Sequence, residues 1–171
     1  MKRKNIIFIG MPAVGKSTVG VVIAKRLGMR FLDTDLLIQE QEGKLLRDII
    51  AKAGEDGFLK IENQVNREVD VENTVISPGG SVVYCKEAMQ NFKKNGTVVY
   101  LKVSYETIKK RIRNPQQRGV VLREGQSLKD LYDERTKLFE AYADIIICED
   151  DLSVEQTIEA VLHNLTPPYP G

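Results

Sequence analysis

Residues 10–17 read Gly10-Met-Pro-Ala-Val-Gly-Lys-Ser17, a complete G-x-x-x-x-G-K-[ST] loop. It lies between an apolar run, Asn5-Ile-Ile-Phe-Ile9, and the helically spaced aliphatic residues of Ser17 to Leu27. A strand that passes directly into a helix through two glycines constrains the local fold. The loop turns successive backbone N–H groups onto one anion, and the helix N-terminus adds partial positive charge. Phosphate is the ligand this geometry selects. Gly10 and Gly15 permit the backbone path, Lys16 reaches the outer phosphate oxygens, and the Ser17 hydroxyl is placed to ligate Mg²⁺.

At 171 residues the chain is most economically one domain with a substantial core. The 25 Lys and Arg residues balance 24 Asp and Glu for a net charge of +1, so a nucleic-acid partner is not expected. No apolar run approaches the length of a membrane span, and Met1-Lys-Arg-Lys-Asn5 enters the first strand with no cleavable apolar segment. No membrane partner is expected, and the expected location is cytoplasmic. Cys85 and Cys148 lack metal-ligand or C-x-x-C spacing and read as buried or bystander thiols. His163 has no candidate metal partner and reads as the surface of a terminal helix.

Five short β-branched runs recur: about 4–10, Phe31-Leu-Asp33, Asn73 to Ser77, Thr97 to Val103 and Asp144 to Cys148. Helical periodicity separates them, which predicts a five-stranded parallel sheet with helices on both faces. Ser127-Leu-Lys-Asp130 and Ser153-Val-Glu-Gln156 read as capping boxes that start the last two long helices. A single domain over 1–165 is expected. Residues 113–126, with Pro115, two glycines and three arginines, read as a mobile basic lid or an ordinary surface connection. Residues 166–171, Thr-Pro-Pro-Tyr-Pro-Gly, read as a frayed tail with little to pack against.

Ligands of an open parallel sheet gather beyond the carboxyl ends of its strands, where Asp33-Thr-Asp35 and Ser77-Pro-Gly-Gly-Ser81 both fall. Asp33 suits a Mg²⁺ site beside Ser17, because that ion keeps several waters and needs only one or two carboxylates. Asp35 is placed farther out, toward an acceptor hydroxyl; alternatively one of the two aspartates, Asp33 or Asp35, merely caps a helix beginning near Leu36. Glycine after Pro78 lets a small ligand approach the backbone closely.

This ordered set resembles the shikimate kinases, small P-loop enzymes related in fold to the nucleoside monophosphate kinases. The resemblance runs from Asn5 to about Leu165. It takes in the phosphate loop, Asp33-Thr-Asp35, Gly54-Glu-Asp-Gly-Phe58 followed by Glu62, Ser77-Pro-Gly-Gly80, Thr97-Val-Val-Tyr-Leu101, Arg118 ahead of Val-Val-Leu122, and Arg135-Thr-Lys-Leu-Phe139. It implies a monomeric, Mg²⁺-dependent kinase that moves the γ-phosphoryl of ATP to a hydroxyl of shikimate, in aromatic amino-acid biosynthesis. Lys16, Asp35 and Arg118 are the implied catalytic residues, with Arg118 carried by the lid. Gly10, Ala13, Val14, Gly15, Lys16, Ser17 and Thr18 are the implied nucleotide contacts. Arg111, or its neighbour Arg113, is implied to stack on adenine. Asp35, Gly79, Gly80 and Arg135 are the implied acceptor contacts, and Ser17 and Asp33 the metal side.

Three positions depart from the family pattern: Leu59 where a second carboxylate-binding arginine is usual, Ser81 for a third glycine, and Gly119 for a proline after the lid arginine. One residue on a helix turns a side chain by about 100°, so Lys60 does not simply replace that arginine. Losing one charge-assisted hydrogen bond of about 1.5–3 kcal/mol predicts a roughly 10- to 150-fold weaker hold on shikimate. Either Lys60 or another cation compensates for that loss, or the acceptor is another small hydroxylated acid or polyol, for which a leucine wall is an asset, or the chain is a low-turnover nucleotide-binding sensor.

Overall fold

The computed structural model describes residues 4–115, 120, 122–166 and 169. Five parallel strands, β1 (Asn5–Ile9), β2 (Arg30–Asp33), β3 (Thr74–Ser77), β4 (Gly96–Lys102) and β5 (Ile145–Cys148), form one sheet in the order β2-β3-β1-β4-β5. The expected five-stranded parallel sheet is present, with strand ends within a residue or two of those read from sequence. Every residue of β1 and β3 is buried, because helical crossovers cover the parallel sheet. β1 pairs with β3 on one side and β4 on the other, so the sheet order reverses beside the loop that follows β1. That reversal opens the crevice in which ligands of such sheets bind.

The crossovers are α1 (Lys16–Leu27), α2 (Thr34–Glu42), α3 (Leu46–Arg67), α4 (Lys86–Asn95), α5 (Tyr105–Arg111), α6 (Leu128–Tyr142) and α7 (Val154–Asn164), with a short 3-10 turn at Val82–Tyr84. α1 packs on β1, β2 and β3 and against α7, whereas α4 and α6 pack on β4. The stacked Tyr100 and Phe139 rings, 5.0 Å between centroids, join β4 to α6. Both predicted capping boxes form, at Ser127 with Asp130 and at Ser153 with Gln156.

Two local features position the site. Gly54, with φ 73° and ψ 179°, breaks α3, a conformation that side chains on an L-residue disfavour. The helix that resumes after it buries Phe58, Glu62, Val65 and Asn66, positions that share one face at helical spacing. The second feature is a smaller apolar cluster of Ile38, Ile49, Phe58 and Val65, which fixes α2 against α3 and walls the crevice.

The tail differs from the expectation at one residue. Tyr169 donates its hydroxyl to the Asn5 carbonyl at 3.0 Å and lies 2.7 Å from Thr97 Oγ1, so it is anchored at the start of β1 and β4. An aromatic ring with a polar tip finds both an apolar seat and two oxygens there, which the proline-rich composition did not reveal.

Candidate active site

A cavity of about 310 Å³ opens at the carboxyl ends of β1, β2 and β3. The phosphate loop forms one wall through Gly15, Lys16, Ser17 and Thr18. Gly15 precedes α1 with φ 91°, and no side chain caps the helix, nor does its first turn carry an acidic residue. The first N–H groups of α1 therefore lack a side-chain partner, as an anion site requires. Lys16 is buried and donates from Nζ to the carbonyls of Gly10 and Met11, each at 2.9 Å. Burial pushes its ammonium down to about 8 against the opposing pull of Asp35.

Asp33 has two tasks. Its Oδ1 accepts from the backbone N–H groups of Asp35 at 2.9 Å and Leu36 at 3.3 Å, capping α2, which begins at Thr34 rather than near Leu36. Its Oδ2 accepts from Ser17 Oγ at 3.2 Å, and Ser17 Oγ also lies 3.1 Å from Ser77 Oγ. The capping role considered for Asp35 thus belongs to Asp33, which leaves the Asp35 side chain free to face the cavity. Asp35 Oδ1 is buried with no protein partner. Burial, reinforced by Asp33 and opposed by Lys16, pushes its carboxyl up to about 6.

One hydroxyl and one carboxylate converging beyond a phosphate loop suit Mg²⁺, whose remaining ligands come from phosphate and water. Among the described residues no cluster of three or more His, Cys, Asp or Glu side chains supplies a protein-only cage.

The far wall is built by Gly79, Gly80, Ser81, Glu62, Arg135, Leu46 and Phe58. A Cβ on Gly80 would come 2.9 Å from Pro12 Cδ and 3.1 Å from Arg135 Nη1, so a side chain there would push the guanidinium away from the phosphate loop. Arg135 is 6% exposed, its Nε has no protein partner, and its guanidinium lies 5.5 Å from the Tyr84 ring centre. Gly79, Gly80, Asp35 and Arg135 therefore meet as expected. Ala13 lines the cavity, and Val14 is buried behind it in the core. Arg111 donates to the Ala13 carbonyl at 3.2 Å, which puts it on the phosphate loop, while Arg113 is exposed.

Arg118 and its neighbours at 116, 117, 119 and 121 lie outside the described residues. Arg123, from the same expected lid segment, pairs through Nε with Glu55 Oε1 at 3.1 Å.

Leu59 does not line the main cavity. It faces a small adjoining hollow with Ile50, Glu55, Phe58, Ser81, Tyr84 and Arg135, and the apolar surface toward the main cavity comes from Leu46 and Phe58. Lys60 is exposed and lines neither space.

Glu62 received no role from sequence. It is fully buried, its Oε1 accepts from Ser81 Oγ at 2.7 Å, and its Oε2 has no protein partner. Burial pushes its carboxyl up to about 7, with hydrogen bonding from Ser81 opposing. The available signal was its place four residues after Phe58, on the buried stripe of α3. Glu149 is a second buried carboxylate, pushed up to about 7 by burial against the pull of Arg111.

A phosphate cradle, a metal-competent hydroxyl and carboxylate, and an acidic and cationic pocket share one cavity, as phosphoryl transfer to a small acceptor requires. The comparisons agree with that chemistry. A family model described as shikimate kinase matches residues 12–166. The chain is 35% identical over 160 residues to a shikimate kinase of Persephonella marina, covering 93% of this chain and 97% of that protein. It is 38% identical over 160 residues to one from a Sulfurihydrogenibium species, covering 93% and 96%. A solved shikimate kinase from Acinetobacter baumannii in complex with shikimate superposes with a TM-score of 0.85 at 29% identity, covering 94% of this chain and 92% of that one. The chain belongs to the shikimate kinase family.

Proposed function

We propose that this protein transfers the γ-phosphoryl group of ATP to a hydroxyl of shikimate, within aromatic amino-acid biosynthesis. The observation that carries this reading is the shared cavity: Lys16 and Ser17 stand on one wall, and Asp35, Gly80 and Arg135 on the other. Phosphoryl transfer passes through a loose transition state, so positioning and charge neutralisation supply most of the rate.

The backbone of Gly10, Ala13, Val14, Gly15 and Thr18 cradles phosphate oxygens, and Lys16 leaves its two loop carbonyls to meet the transferring group. Ser17 and Asp33 would hold Mg²⁺, which would supply Lewis-acid neutralisation of the phosphate charge. Asp35 holds the attacking hydroxyl in line and takes its proton late. Arg135 pairs with the acceptor carboxylate, a task suited to a planar guanidinium, while Gly79 and Gly80 admit the acceptor to the backbone. Arg118 supplies positive charge to the transferring phosphate, and Arg111 covers the base beside the loop.

A monomer acting as a single unit over 1–165 is part of the same reading. A net charge of +1 supports a function without nucleic acid, and use of ATP supports a cytoplasmic location. No helix of the described residues is long and apolar enough to cross a membrane.

The test is ADP release from Mg²⁺-ATP with shikimate present and absent. Release that depends on shikimate is expected. Equal release in both arms, with nucleotide binding intact, refutes the reading.

A further inference from the structure

The acceptor half of the cavity holds an imbalance that the phosphoryl-transfer chemistry does not use. The cavity as a whole is lined by the carboxylates of Asp33, Asp35 and Glu62 and by two cations, Lys16 and Arg135. Lys16 and Asp33 belong to the phosphate and metal side, so among the described lining residues Asp35 and Glu62 share the acceptor side with Arg135 alone. Leu59, beside Arg135, is apolar, and Lys60 is exposed. An acceptor carboxylate entering here adds a further anion to a region where burial strengthens like-charge repulsion.

Glu62 is built to relieve that repulsion. Two donors, Ser81 Oγ at 2.7 Å and Cys85 Sγ at 3.8 Å, both address Oε1. Oε2 is left buried and unpartnered. A Cβ on Gly79 would lie 2.8 Å from Asp35 Oδ1 and 3.1 Å from Glu62 Oε2, so two unpartnered carboxylate oxygens border the space that glycine leaves open. Arg135 on α6 is a cation. Burial pushes the Cys85 thiol, at the start of α4, well above its usual value, and the Tyr84 hydroxyl is also raised, so both stay neutral at neutral pH. The remaining neighbour is the Asp35 carboxyl at the start of α2, which borders the same space beside Gly79.

We propose that Glu62 is a proton-linked specificity residue: it takes one proton from solvent as an anionic acceptor docks against Arg135, and the neutral carboxyl then donates through Oε2 to an acceptor oxygen. The proton comes from water, resides on Oε2 while the acceptor is bound, and returns when the product leaves. The inference rests on the shikimate reading and refines its acceptor subsite. An acceptor of the same shape without a carboxylate needs no such proton, so its binding is not linked to the charge of Glu62.

The test is the KM for shikimate at saturating Mg²⁺-ATP between pH 6.5 and 8.5, in the unmodified protein and in Glu62→Gln and Ser81→Ala. For a group titrating at about 7, KM rises about 25-fold across that range while kcat changes far less. Glu62→Gln, neutral throughout, gives a KM that does not vary with pH. Ser81→Ala removes a hydrogen bond that favours the anion and moves the rise to higher pH. Calorimetry at pH 7.5 in two buffers of different ionisation enthalpy reads uptake of about 0.8 proton per shikimate bound, and none in Glu62→Gln.

If Glu62→Gln does not fold, the Ser81→Ala displacement and the proton uptake of the unmodified protein decide. Robust turnover with a pH-independent KM and no proton uptake overturns the proposal and leaves the kinase assignment standing. An identical pH profile in the unmodified protein and Glu62→Gln assigns the proton elsewhere and also overturns it. Absence of shikimate turnover at every pH refutes the assignment itself, and the proposal with it.

Discussion

Leu59→Arg tests which part of the pocket receives the acceptor carboxylate. Leu59 faces a hollow shared with Arg135, Glu55 and Tyr84, next to the main cavity. A guanidinium there stands beside Arg135, where like charge opposes it, and beside the Glu55 carboxylate, which offsets that repulsion. The gain is one further charge-assisted hydrogen bond to the acceptor, about 1.5–3 kcal/mol, or about 10- to 150-fold in affinity. Glu55 already binds Arg123, so part of the gain is spent in drawing it away, and the lower end of that range is expected. The cost to folding is small, because Leu59 is only half-buried. Steady-state ADP release at saturating Mg²⁺-ATP and varied shikimate reads KM and kcat, and thermal unfolding checks the fold. KM should fall by about tenfold or more with kcat little changed. A folded variant whose KM is unchanged or higher would place the carboxylate away from the Leu59 side of Arg135 and refute the reasoning.

Four further predictions concern the transfer step. Lys16→Ala should lower kcat by about 10²-fold or more, as removal of a charge-stabilising donor does, with thermal unfolding showing a folded protein; near-normal turnover would take the loop lysine out of the chemistry. Asp35→Asn should lower shikimate-dependent kcat by about 10²-fold or more while ATP affinity, read by equilibrium titration, stays close to normal. Because the Asp35 carboxyl is raised to about 6 and acts ionised, kcat of the unmodified protein should fall as pH drops through about 6, and a kcat flat down to pH 5 would contradict that role. Arg118→Ala should lower kcat by about 10³-fold with little loss of free-nucleotide binding, and an unchanged kcat would make 113–126 an ordinary connection.

The sheet was legible because β1, β3, β4 and β5 are short runs rich in β-branched residues, and the phosphate loop because its chemistry is local. Asp33 and Asp35 were legible as a pair at a strand end, but their division of labour was not. It depends on where α2 begins, and a cap is decided by backbone geometry at one residue. The bond from Ser81 to Glu62 joins residues 19 apart on different elements, so no local sequence pattern pairs them. Leu59 was read as a wall of the acceptor pocket. One step of helix rotation from Phe58 turns it into the adjoining hollow, while Phe58 itself takes the wall.

The anchoring of Tyr169 separates two properties of the molecule. Its hydroxyl joins the first residue of β1 to the second of β4, at the opposite end of those strands from the cavity. β1, which carries the phosphate loop at one end, is thus clamped to β4 at the other by a residue far along the chain. Changes at this foot act on how firmly β1 and β4 stay paired, and changes at the crown act on what binds there. Durability and chemistry are therefore adjustable one without the other along the same strands.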